Sequence, residues 1–202
     1  MKQRGFTLVE LAIVLVIVGL ILGLAFKGRD LIDGARVKSA QASANKIQAA
    51  VNIFFERYQF YPGDGCPAGV AQPAQCNGAR NGLINGADEI AAFWTLLINT
   101  AILTNAERTT PFGTQWGVAA GANGVGGTTT NISYLTSGPA TNTAATDIRY
   151  VCALDSQYDD GVPNAGNIRS SAAVGVAVNQ YQANADCWSK TGQVGLSIRI
   201  LP

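Results

Sequence analysis

The N-terminal part of the chain carries two different patterns of polarity. From Leu11 to Phe26 every residue is apolar or glycine, with no polar position on any face. Such a run suits an apolar solvent on all sides rather than a half-buried surface. Further on the pattern becomes one-sided. Ala40, Ala44, Ile47, Val51, Phe54 and Tyr58 recur at spacings of three or four, while Lys38, Gln41, Asn45, Lys46 and Gln48 fall elsewhere. That spacing predicts an amphipathic helix whose apolar stripe packs on a globular head. Pro62-Gly63 predicts its end, because proline removes a donor and glycine loosens the backbone. Together the two stretches predict a continuous or nearly continuous helix of about 55 residues, about 80 Å long.

Later segments are shorter. Residues 58–87 are rich in Gly, Pro, Asn and Ala and read as a loop. Asp88 opens a predicted second helix, with Ile90, Trp94, Leu97, Ile98 and Ala101 on one face. Residues 117–147 are almost uncharged and dominated by Gly, Ala, Thr and Asn, and read as a surface loop. Its glycine-rich start at Gly121 lacks the lysine that a phosphate-binding loop requires. Three alternating segments then predict strands: Ile148 to Leu154, Val174 to Val178, and Val194 to Ile200. The expected fold class is α+β, a long N-terminal helix packed on a mostly antiparallel sheet.

Charge and chemistry sharpen this picture. The formal net charge of +1 hides an asymmetry: residues 1–57 hold eight Lys/Arg against four Asp/Glu, and residues 58–202 hold six against nine. No basic patch of nucleic-acid-binding size lies beyond Arg57. The chain has no histidine, which excludes Ser-His-Asp and Cys-His sites. The expectation is therefore no enzymatic activity. Asp155, Asp159, Asp160 and Asn164 cluster in a turn-rich stretch and supply the hard oxygens that calcium prefers. Their spacing is not that of an EF-hand, and a polar loop bonding its own backbone is the favoured reading.

Cys66, Cys76, Cys152 and Cys187 form an even set without any C-x-x-C pair, so disulfides are expected over zinc, and with them an oxidising compartment. Four cysteines permit three pairings, and sequence alone does not choose. Nearest-neighbour spacing favours Cys66–Cys76 and Cys152–Cys187.

The stretch from Phe6 to Phe26 has 21 residues, about 31 Å as a helix, which matches a bilayer's apolar thickness. Lys2 and Arg4 place its N-terminal end in the cytoplasm by the positive-inside tendency. Glu10 is out of place in an ordinary secretory signal, because a carboxylate near hydrocarbon costs roughly 2.5–3.5 kcal/mol, somewhat less near the interface. The alternative of an exported, disulfide-bonded binding domain behind an ordinary signal peptide or anchor leaves Glu10 unexplained.

The stretch Arg4-Gly5-Phe6-Thr7-Leu8-Val9-Glu10 followed by a long apolar run resembles the class III signal of type IV pilins and pseudopilins. The resemblance implies cleavage after Gly5 by a prepilin peptidase and methylation of the new N-terminal Phe6. It implies a leader at 1–5, a membrane and assembly helix at 6–26, an amphipathic helix at 27–60 and a head at 61–202. Expected partners are identical or homologous pilin subunits, the prepilin peptidase and methyltransferase, an inner-membrane assembly platform, and the lipid bilayer before assembly. The implied location is the bacterial inner membrane, single-pass with a cytoplasmic N-terminus, and then a periplasmic or extracellular filament. Glu10 stands where the family's acid stands. It is expected to meet the Phe6 ammonium of a neighbouring subunit, so that two charges costly apart become cheaper together.

Overall fold

The computed structural model describes residues 7–84, 86–120, 133–136, 146–171 and 181–200. The chain divides into two compact units, Met1–Arg36 and Val37–Pro202. One helix, α1 (Leu8–Tyr58, 51 residues), contributes to both.

In the first unit α1 leaves its apolar residues uncovered: Leu8 is 87% exposed and Leu24 73%. By length and composition α1 is the one helix among the described residues able to cross a membrane. Its first turn is closed by Thr7 and Glu10, described below.

In the second unit the same helix buries Val37, Ala40, Ala44, Ile47, Ala50, Val51 and Phe54. The expected stripe is thus buried as far as Phe54, and half-buried Tyr58 packs against the same core. The helix stops before Pro62: Gln59 takes a left-handed conformation, φ 62°, which breaks the i to i−4 ladder. The Phe54 ring meets Tyr58 at 4.6 Å and Phe60 at 5.4 Å, folding the chain back on the helix end.

The segment after α1 is tightly built despite its loop composition. Asp64 accepts hydrogen bonds from the Asn81 and Gly82 amides at 3.0 and 2.9 Å. Gly63 holds φ +94°, and a Cβ there would lie 2.4 Å from the Glu89 carbonyl oxygen, so only glycine lets this turn approach the second helix. That helix, α2 (Ala87–Asn99), buries Ala92, Phe93, Trp94, Leu96 and Leu97. Ile90 and Ile98 are half-buried, while Ala101, expected on the same face, lies past the helix end and is exposed.

The sheet comprises β1 (Gly117–Ala120), β2 (Ser133–Thr136), β3 (Thr146–Asp147), β4 (Ile168–Ser171) and β5 (Gln193–Arg199). Every described pairing is antiparallel: Gly117 faces Thr136, Leu135 and Ile168 both face Ile198, and Thr146 faces Val194. The strand β5 therefore lies between β2 and β4 and is buried from Val194 to Ile198 on both faces. Trp116, fully buried, donates its indole N–H to Ser43 Oγ at 2.8 Å, tying the strand region to α1.

Two sequence expectations need correction. Ile148 to Leu154 is not a strand but the start of α3 (Ile148–Tyr158). Asp147 caps it by accepting from the Arg149 amide. Helical spacing then puts Ile148, Val151, Cys152 and Asp155 on one buried face. A short run buried on nearly every side carries both periods at once, and the capping acid decided between them. The second correction concerns 117–147, where β1, β2 and β3 stand in place of one surface loop. Backbone pairing of β2 and β3 with β5, and of β1 with β2, forms these strands without a strong apolar alternation. The expected strand at Val174 to Val178 and the glycine-rich start at Gly121 lie outside the described residues.

Candidate functional site

Helix α1 opens with a reciprocal pair. The Thr7 amide and hydroxyl both donate to Glu10 Oε2, at 2.9 and 2.8 Å, and the Glu10 amide donates to Thr7 Oγ1 at 3.3 Å. This T-x-x-E capping box satisfies donors that a helix start leaves open. It also orients the carboxylate along the first turn, with Thr7 as its sole hydrogen-bond partner among the described residues. Gly5 and Phe6 lie outside the described residues. Beyond the cap, a Cβ built on Gly19 or Gly23 would meet nothing within 4 Å, so that side of the helix is open to close approach.

The family model for the prokaryotic N-terminal methylation motif matches residues 1–26. The chain carries that N-terminal methylation motif. It is 35% identical over 77 residues to a fimbrial protein of Neisseria meningitidis serogroup B, an alignment covering 38% of this chain and 45% of that protein. It has the same identity over 77 residues to the type IV major pilin protein PilE of Neisseria gonorrhoeae, covering 46% of it. The chain thus spans less than half the length of these curated relatives. Among solved structures it is similar to the major type IV pilin PilA1 of Clostridium difficile, with a TM-score of 0.45 and 13% identity over 85% of this chain and 98% of the other. The matched segment holds the cap and the first part of α1; the remaining candidate groups lie further along the chain.

The structure joins Cys66 to Cys76 and Cys152 to Cys187. The first bridge closes the loop after α1. The second ties α3 to the turn at Cys187–Ser189, just ahead of β5.

Asp155, Asp159 and Asp160 do come together, each offering an oxygen within 4.8 Å of the others. Asn164 is exposed and has no described part in the cluster. The carboxylates serve the chain itself. Asp155 takes hydrogen bonds from Tyr181 Oη at 2.8 Å and the Gly161 amide at 3.0 Å. Asp159 Oδ2 takes the Asn167 and Ile168 amides, and Asp160 Oδ1 the Val162 amide. Asp155 is fully buried. Desolvation pushes its carboxyl up to about 6, against the lowering pull of Tyr181 and Gly161. Burial, and then the Asp155 charge, drive the Tyr181 hydroxyl upward as well.

Two features of this arrangement escaped sequence reasoning. The Thr7 partner of Glu10 was present as T-x-x-E spacing, a recognisable helix-start signal. The burial of Asp155 had no signal, because acids in a turn-rich stretch are usually solvated.

Proposed function

We propose that this chain is the structural subunit of a type IV pilus or a related secretion pseudopilus. It is inserted with its N-terminus in the cytoplasm, cut between Gly5 and Phe6, methylated on Phe6, and polymerised through α1. The observation that carries this reading is Glu10: one carboxylate, held only by Thr7 among the described residues, at the head of an uncovered apolar helix. Cleavage creates an ammonium on Phe6, and methylation keeps its charge. A neighbour's Phe6 ammonium beside Glu10 lowers the cost of holding both charges in an apolar bundle. The apolar surface from Leu8 to Phe26 is covered first by lipid and then by other subunits. The two disulfides suit the exported side of the membrane.

The test is the intact mass of the mature protein from its native membrane or sheared filament fraction. A chain starting at Phe6, with one added methyl and four hydrogens lost to two disulfides, is the expected product. A chain starting at Phe26, as a cut after Ala25 would leave, overturns the reading, since the segment that polymerises would be gone.

A further inference from the structure

From Asn77 the chain sets an Asn-Gly pair at every fourth residue: Asn77-Gly78, Asn81-Gly82 and Asn85-Gly86. In such a pair the side-chain amide is easily lost, because glycine has no Cβ to keep its nitrogen from the preceding side-chain carbonyl carbon. In this fold each of the three glycine nitrogens is already engaged. Gly78 donates to the Gly65 carbonyl at 2.9 Å, Gly82 to Asp64 Oδ2 at 2.9 Å and Gly86 to Glu89 Oε2 at 3.2 Å. Asn85 itself lies outside the described residues. The middle tie is the most complete. Asp64 is 2% exposed, and its other oxygen takes the Asn81 amide at 3.0 Å. One buried carboxylate therefore fixes the peptide units on both sides of Asn81, although Asn81 is exposed to water.

We propose that Asn81 is a self-modification site that the Asp64 clasp keeps shut, and that it converts to isoaspartate or aspartate in a chain whose clasp has opened. In the step, the Gly82 nitrogen gives its proton to solvent hydroxide and bonds to Asn81 Cγ. The Cγ–Nδ2 bond breaks and ammonia leaves, closing a succinimide; water then opens the ring at either carbonyl. Nothing is oxidised or reduced, and water is the only other reactant. Asp64 opposes the first event in two ways. Losing the Gly82 proton would set an anionic nitrogen 2.9 Å from a buried carboxylate, a like-charge contact. The paired amides also restrict the backbone rotation that ring closure needs. The electrophile is ready once the clasp opens. Asn81 Oδ1 takes the Leu83 amide at 2.9 Å, a local donor that stabilises the oxygen as charge develops on it. Conversion runs one way. Isoaspartate adds a methylene to the main chain, so the two amides no longer match one carboxylate. Either product also adds a negative charge at a residue bound to Asp64.

The experiment incubates the full chain in detergent micelles at mildly alkaline pH and follows deamidation by mass spectrometry of tryptic peptides. Asn77 falls in peptide 58–80 and Asn81 in peptide 81–108, where fragment ions separate it from Asn85. Asn81 is expected to convert at least about tenfold more slowly in the folded chain than in the same chain unfolded by guanidinium, the worth of one hydrogen bond to a charged group. Asp64→Ser removes the carboxylate and should raise the Asn81 rate by about tenfold. Asn77 should stay slow in that variant, because Gly78 is held by a backbone carbonyl. The proposal is overturned if Asn81 converts as fast folded as unfolded, or if Asp64→Ser leaves its rate unchanged or raises Asn77 equally. If Asp64→Ser does not fold, hydrogen exchange at the Gly82 amide takes its place. Across guanidinium concentrations below the unfolding transition, Gly82 exchange and Asn81 conversion should rise by the same factor. Conversion that does not follow exchange overturns the proposal.

Discussion

Glu10 is engaged by Thr7 within its own chain, so loss of filaments on removing it has two explanations, a frayed helix start or a missing charge. Two substitutions separate them. Glutamine also completes a capping box, so Glu10→Gln keeps the helix start and removes the charge. Thr7→Ala weakens the cap by about 1 kcal/mol and leaves the carboxylate. Electron microscopy of sheared fractions is expected to find filaments with Thr7→Ala and none with Glu10→Gln, both proteins reaching the membrane. The opposite result would make capping the purpose of the residue. The oddity of Glu10 was legible from its neighbours alone. Its Thr7 contact lay in the same seven residues and needed only the three-residue spacing to be noticed.

Among the elements, legibility followed how one-sided each one is. The stripe on α1 from Ala40 to Phe54 could be read because its other faces are polar. The helix α3 could not, because Ile148 to Leu154 is buried almost throughout apart from Arg149. The short strands β1, β2 and β3 were also hidden. Their pairing is set by β5 and by β1–β2 backbone contacts at long sequence range, which leave little trace in local pattern. The staple on α3 carries a measurable consequence. Loop-closure arithmetic gives about 4 kcal/mol for the bridge of separation 35, Cys152–Cys187, and about 3 kcal/mol for that of separation 10, Cys66–Cys76. Chemical denaturation of the two Cys→Ser double variants should therefore place the Cys152/Cys187 pair lower in stability. Equal or reversed midpoints at equal slope would mean that the reduced chain retains structure around α3.

For the molecule as a whole, two acids pull the pH dependence in opposite directions. Burial pushes the Asp155 carboxyl up to about 6 from its ordinary 3.8. Between those values the folded chain holds a proton that the unfolded chain releases, so stability falls as pH rises through that window. Glu107 is held down to about 2 by Lys46 and the Thr104 amide, from 4.5. Its contribution is present above 4.5 and is lost as pH falls towards 2. Being largely an exposed pair, it is worth less than about 1 kcal/mol. The melting temperature should decline from about pH 4.5 to pH 7 in the native chain, and Asp155→Asn should flatten that decline. A decline of the same steepness in Asp155→Asn would assign it to another group.

The two disulfides have one more consequence, for wear. In the filament proposed above, a subunit outside the cell would meet proteases where neither chaperone nor resynthesis can repair it. Between Cys152 and Cys187 the one site for a trypsin-like enzyme is Arg169, and between Cys66 and Cys76 there is none. A cut at Arg169 would fall inside a closed covalent ring, with its strand β4 paired to β5 on four residues. Both fragments stay attached, so a nicked chain remains one piece, and in the proposed filament the strand of subunits would not be severed.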